Sequence, residues 1–180
     1  MLINETKLSK ENAENYSYRF TWLHLMRPLT LTGSISPILA GTALAYINGT
    51  FKIDMFIFLI FTALLIQAGI NMLNDYFDFL RGQEHDKWIL QADGLAKGPM
   101  HHHIPYAAFL FFIAAAILGL WLAVHSSYWI IIIGMITFII GYAYQSGPRP
   151  LSSIGLGELD AAICYWPVPI ILAYFVQGYS

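Results

Sequence analysis

The 180-residue chain has one cysteine, Cys164, and only 11% charged residues. A lone thiol can close no disulfide within the chain, which gives no support to a disulfide-stapled extracytoplasmic fold. A soluble domain carries roughly 25% charged residues, so the composition argues against an ordinary water-soluble globule. No cleavable signal is evident either. The first twenty residues, "MLINETKLSKENAENYSYRF", are polar and of mixed charge, with no apolar core of signal-peptide type. Neither an internal repeat nor a low-complexity tract is evident, and the net charge of −2 says little by itself.

What the chain has in abundance is apolar sequence, at 57% of its residues. About 20 apolar residues cross a bilayer core as a helix, and five stretches qualify as spans: Leu29 to Ile47, Met55 to Phe77, Ile104 to Val124, Tyr128 to Tyr144 and Leu159 to Val176. The fifth contains Pro167 and Pro169 and is expected to kink. The expected fold is therefore all-α, a membrane protein of about five transmembrane helices. Residues 1–21 form a polar N-terminal tail and residues 22–180 the membrane region. Trp22, Trp88 and Trp129 are expected as interfacial anchors.

Orientation follows from the cations. Lys7, Lys10, Arg19, Arg27, Arg81, Lys87, Lys97 and Arg149 fall on one side of this arrangement, and only Lys52 on the other. By the positive-inside rule the first side is cytoplasmic, in the cell membrane. The longer polar connections, 78–103 and 145–158, share that side, where chemistry is expected.

The second span ends in "NMLNDYFDFLRG". At about 100° per residue, Asn71, Asp75, Asp78 and Gly82 fall on a narrow helical arc with Asn74 beside it. Two carboxylates this close repel, and each is costly in a membrane. Mg²⁺ removes both objections, because it takes oxygen ligands and is commonly shared between carboxylates and substrate phosphates. The plainer alternative is a set of acids at a helix end facing water. It fits Asp78 alone better than the whole stripe, although a negative charge there opposes the helix dipole.

Three segments carry a resemblance. "GINMLNDYFDFLRG" resembles the first aspartate-rich motif of the UbiA-type membrane prenyltransferases, and "RPLTLTGSISPILAGTALA" resembles that family's first helix. "YAYQSGPRPLSSIGLGELDA" is similar to the loop and fifth-helix start of the branch that prenylates 1,4-dihydroxy-2-naphthoate in menaquinone synthesis. The resemblance runs from about Trp22 to the last residue. It implies the first part of the UbiA helical bundle, and Mg²⁺-dependent transfer of a polyprenyl group from its diphosphate to an aromatic acceptor.

Carried over, the resemblance makes Asn74, Asp75 and Asp78 metal ligands. Asn71 and Asn74 become substrate-binding residues, and Glu84 is the nearest acid to complete the motif where Gly82 takes one expected place. Asp75, Asp78 and Arg149 are the residues expected to carry catalysis. Arg81, Lys97 and Tyr142 are expected near the substrate. Polyprenyl diphosphate, the aromatic acceptor and the bilayer are the expected partners, with no nucleic acid.

The family's second aspartate-rich motif has no counterpart here, since Glu158 and Asp160 match the start of the fifth helix. The expectation is an N-terminal half, truncated or completed by a separate chain and inactive alone. A non-catalytic membrane protein that binds isoprenoid diphosphate or partners a full-length relative is the alternative. A transporter fits less well, because the acids cluster at one face and not at the bilayer midplane. "DGLAKG" at Asp93 matches the CDP-alcohol phosphotransferase signature only in passing. The triplet His101–His103 reads as surface or interfacial histidines more readily than as a metal site.

Overall fold

The computed structural model describes residues 13–91, 94–145 and 166–178, and for 141–145 the backbone only. Within the described residues the α-helices are, in chain order, α1 (Trp22–Leu25), α2 (Pro28–Ile47), α3 (Ile53–Leu80), α4 (Ile104–His125), α5 (Trp129–Gln145) and α6 (Pro167–Gly178). Helices α2 and α3 have the length and apolar composition of membrane spans, as does α4 with the short turn at His101–His103 before it; α5 and α6 are shorter apolar helices. Their outward faces carry exposed Leu39, Ile57, Phe61, Phe109, Ile117, Ile132 and Ile139. Water would reject these faces, whereas lipid accepts them. Each helix satisfies its own backbone hydrogen bonds, as a bilayer requires. The all-α membrane fold expected from composition is therefore present.

Helix boundaries match the expected spans closely at α2, α4 and α5. Helix α3 runs a turn further in, to Leu80. Proline 167 begins α6 as described, so Pro167 and Pro169 occupy its first turn, where proline is tolerated. The stretch before it lies outside the described residues.

Among the described residues two cores lie at opposite ends of the bundle. Ile38, Met55, Leu59, Leu122, Ile130, Ala173 and Val176 form one. Close approach there depends on Gly41, because a Cβ at that position would sit 2.2 Å from the Ile170 carbonyl oxygen. The second core joins the end of α3 to the start of α4 through Met72, Phe79, Ile104 and Ala108, with Tyr18, Leu25 and Trp88 over them.

That covering is a small β-structure, an addition to the helical expectation. Strand β1 (Tyr16–Tyr18) pairs antiparallel with β2 (Trp88–Leu90), Tyr18 opposite Trp88 and Tyr16 opposite Leu90. On its other edge, the Tyr18 N–H donates to the Pro99 carbonyl at 2.8 Å and the Gly98 N–H to the Tyr18 carbonyl at 3.0 Å. Residues just before the first span are thus a packed strand over the α3–α4 connection. Trp88 is buried in this cap against Phe79, Tyr18 and His101, so it is a core residue, in contrast to the interfacial anchor expected. Trp22 and Trp129 are exposed.

Candidate metal and diphosphate site

Helix α3 is 28 residues long. At 1.5 Å per residue, Asp75 lies about 33 Å from its first residue, just past a hydrocarbon core of about 30 Å. Simple helical geometry therefore delivers the acids to the far boundary of the apolar layer. The α3–α4 connection then folds back. Gly82 takes the left-handed conformation after the helix, and Glu84 is also left-handed at φ 54°. A left-handed non-glycine residue is strained. Here the turn directs the Glu84 carboxylate back toward α3.

Oxygen atoms of Asp75, Asp78 and Glu84 consequently lie within 4.8 Å of one another. Asp75 is fully buried, Asp78 partly buried and Glu84 exposed. Three cations compensate them. Arg27 donates to Asp75 Oδ1, and Lys87 Nζ lies 3.2 Å from the same oxygen and 2.6 Å from Glu84 Oε2. Arg81 pairs with Asp78 one turn along. The other oxygen of Asp75, Oδ2, accepts the Tyr18 hydroxyl at 2.9 Å.

The electrostatics follow from this packing. Burial, then the Asp75 charge and the hydrogen bond to it, push the Tyr18 phenol well above its ordinary value. Burial works against the Arg27 charge, but Asp75 and then Glu84 outweigh it and raise the guanidinium pKa. Both groups stay protonated, Tyr18 as a neutral donor and Arg27 as a cation. An all-oxygen set of three carboxylates suits a hard divalent ion such as Mg²⁺, and the thiol or imidazole donors that softer metals select are absent from it. The donor chemistry therefore fits the metal that the motif implied.

A family comparison matches residues 34–180 to the model described as the UbiA prenyltransferase family. The chain belongs to that family. Among curated relatives of this UbiA protein, a Bacillus subtilis protein named 1,4-dihydroxy-2-naphthoate octaprenyltransferase is 33% identical over 85% of the chain and 50% of the relative. A Synechocystis protein named 2-carboxy-1,4-naphthoquinone phytyltransferase is 32% identical over 90% of the chain and 52% of its own length. An Escherichia coli protein that shares the first name is 26% identical over 88% and 54%. The chain spans about half the length of these relatives. No solved structure matches significantly.

Within the UbiA chain, the residues expected from sequence separate into three groups. Asp75, Asp78 and Glu84 come together with Arg81 beside them. Asn71 is buried, but its amide donates to the Met26 carbonyl and to Thr30 Oγ1, both at 2.8 Å. Gln67 donates to its oxygen at 3.2 Å, so Asn71 ties α3 to α2. Asn74 is half-buried beside the arc. Lys97 lines a separate groove with Arg19, Phe20, Ile89 and Leu95 and makes no ion pair with the three acids. Arg149 lies outside the described residues, as does the side chain of Tyr142.

Of the histidines, His101 is buried, in contrast to the surface reading. Its ring stacks on Tyr76 and its Nε2 lies 3.3 Å from the Tyr76 carbonyl. His103 is exposed.

Sequence reasoning missed Tyr18, Arg27 and Lys87 as site residues. A signal was available for Arg27. It directly precedes Pro28 at a helix start, a cation at the same end of the bundle as the acid motif. Lys87 follows Glu84 by three residues, a spacing that brings side chains together on one helical turn. Nothing local marks Tyr18, whose strand pairing with Trp88 brings it to Asp75, 57 positions away.

Proposed function

We propose that the chain supplies the first metal–diphosphate site of a polyprenyl transferase that acts on an aromatic acceptor such as 1,4-dihydroxy-2-naphthoate. The observation that carries this reading is the cluster of three carboxylates interlocked with three cations at the end of α3. Such a cluster is near neutral when empty of substrate, so each of its members has a partner to exchange. Asp75, Asp78 and Glu84 would hold Mg²⁺, with Asn74 beside them. The cation chemistry supplied there is stabilisation of charge on the leaving diphosphate.

The chain's own residues do the rest. Arg27, Arg81 and Lys87 turn from the carboxylates to the diphosphate oxygens, so the substrate's charge is met without bringing bare charge into an apolar region. Asn71 holds the α2–α3 pair together under the site. Arg149, Lys97 and Tyr142 are further substrate contacts in this proposal. The site faces the cytoplasm, because Arg27, Arg81, Lys87 and Lys97 share its end of the bundle and Lys52 lies at the other.

Transfer itself requires the remainder of the family's length, on the same polypeptide or on a second one, since the relatives are about twice as long as the matched region. Prenyl transfer in a reconstituted assembly of both halves tests the proposal. Activity is expected only with Mg²⁺ present, and it is expected to be lost in Asp75→Asn and Asp78→Asn. Undiminished transfer in both variants would overturn the assignment. Substrate binding without transfer in the complete assembly would favour a non-catalytic binder of isoprenoid diphosphate.

A further inference from the structure

Asp75 presents its two oxygens to different kinds of partner. Among the described residues, Oδ1 meets the two cations, Arg27 and Lys87, whereas Oδ2 meets the neutral hydroxyl of Tyr18. A divalent ion arriving at Oδ1 repels Arg27 and Lys87. It does not repel a phenol. Tyr18 is therefore the partner able to stay in place while the others exchange.

Its own placement is firm. The Tyr18 N–H and carbonyl are both bonded to the 98–99 segment, and the strand pairs with β2 on the opposite edge. The ring lies edge-on to Trp88 at 5.3 Å between centroids, and it is fully buried. The next residue, Arg19, donates its N–H to the Lys87 carbonyl at 2.8 Å. One short strand thus holds the hydroxyl on Asp75 and fixes the backbone that carries Lys87.

We infer that Tyr18 is a positioning residue: its hydroxyl fixes the orientation of the Asp75 carboxylate, so that Oδ1 faces the centre of the cluster with or without a divalent ion. The inference rests on the proposed metal site for its consequence, but the orientation itself exists without metal. A buried tyrosine hydroxyl also needs some partner for its own sake. What separates the two roles is whether Asp75 changes when the hydroxyl is removed.

The test uses the full chain in detergent, with Mn²⁺ as the probe and electron paramagnetic resonance as the readout. Outer-shell partners of metal ligands are typically worth about 10–100-fold in affinity, and Tyr18→Phe is expected to weaken Mn²⁺ binding within that range. Tyr16→Phe, which removes a hydroxyl from the same strand but not the one on Asp75, is expected to leave the affinity unchanged. Infrared spectra of metal-free protein, with Asp75→Asn subtracted to isolate the Asp75 carboxylate band, give an independent readout. Tyr18→Phe should shift that band. Incorporation of 3-fluorotyrosine at position 18, which retains the ring and strengthens the donor, should shift it in the opposite direction.

Wild-type Mn²⁺ affinity in Tyr18→Phe, alongside lost affinity in Asp75→Asn, overturns the positioning role and leaves the metal site standing. If the wild-type chain takes up no Mn²⁺, the metal reading fails and the infrared band decides the role of Tyr18. A band unmoved by either replacement overturns it.

Discussion

Arg27 donates its guanidinium to the buried carboxylate of Asp75 from 48 positions earlier in the chain, and it does so from a left-handed backbone at φ 54°. Its other acidic neighbour, Glu84, 3.9 Å away, has the same φ. These two are the only non-glycine residues with positive φ among the described residues. Such conformations cost of order 1–2 kcal/mol each and persist where the surroundings hold them. Both strained residues here turn their side chains onto one acid cluster.

Removing Arg27 should therefore destabilise the fold as well as the site. Asp75 has no exposure, so Arg27→Ala leaves it, among the described residues, with Lys87 and Tyr18. Loss of one partner of a buried pair costs about 3–5 kcal/mol. The partial exposure of Arg27 and the remaining Lys87 place the expected loss at about 2 kcal/mol. Unfolding in mixed detergent micelles measures it. The double variant with Asp75→Asn should recover part of the loss, giving a coupling of about 1–3 kcal/mol.

The helices and the acid stripe are legible in the sequence because both depend on local periodicity. Apolar runs of spanning length declare α2, α3 and α4, and the spacing of Asn71, Asp75 and Asp78 declares one face of α3. The cap is not legible. Strands of three residues carry too little alternation to register, and "YSY" sits in what reads as a polar tail. Trp88 looks interfacial by type, but pairing with β1 buries it. Charge counting placed Arg27 and Lys87 at the correct end of the bundle without revealing their partner, because the Asp75 contact depends on the fold-back at Gly82 and Glu84. Asn71 shows the converse. It lies on the acid face by spacing, yet Met26 and Thr30 claim its amide.

Glu84 offers a test that separates strain from charge. Glu84→Gly and Glu84→Ala remove the same carboxylate and the same surface pairs to Lys87 and Arg27, which are worth about 0–1 kcal/mol together. Only glycine accepts the left-handed backbone without strain. The glycine variant should be more stable than the alanine variant by about 1 kcal/mol, with Mn²⁺ binding weakened equally in both. Equal stabilities would show that the turn relaxes out of the left-handed region once the carboxylate is gone.

Tyr18 should resist ionisation at alkaline pH. Burial and the Asp75 charge raise its phenol above the ordinary value of about 10. The folded chain then keeps a proton that the unfolded chain releases. Its contribution to stability is full below about pH 10 and is lost as pH rises through the folded value. The tyrosinate ultraviolet band, taken as the difference between wild type and Tyr18→Phe, follows this one group. Asp75→Asn should move the transition down only partly, because burial is the larger cause.

Gly98 controls whether the cap can close at all. A Cβ there would lie 2.1 Å from the Phe20 carbonyl oxygen and 2.9 Å from Tyr18 Cβ, and the first of these is backbone that cannot turn aside. Gly98→Ala must push β1 away from the 97–100 segment, at an overpacking cost of about 1–3 kcal/mol. The strain falls on the strand that presents Tyr18 and braces Lys87, so the damage should be local. Hydrogen exchange is expected to quicken at Tyr18 and Gly98, whose N–H groups make the strand contacts, while α3 and α4 stay protected. Mn²⁺ affinity should fall with it, although Gly98 touches none of the three acids. Gly33 has open space around the same hypothetical Cβ, and Gly33→Ala should change neither quantity. Fast exchange in α3 itself would mean instead that the cap holds the helix end, with the site following the helix and not the strand.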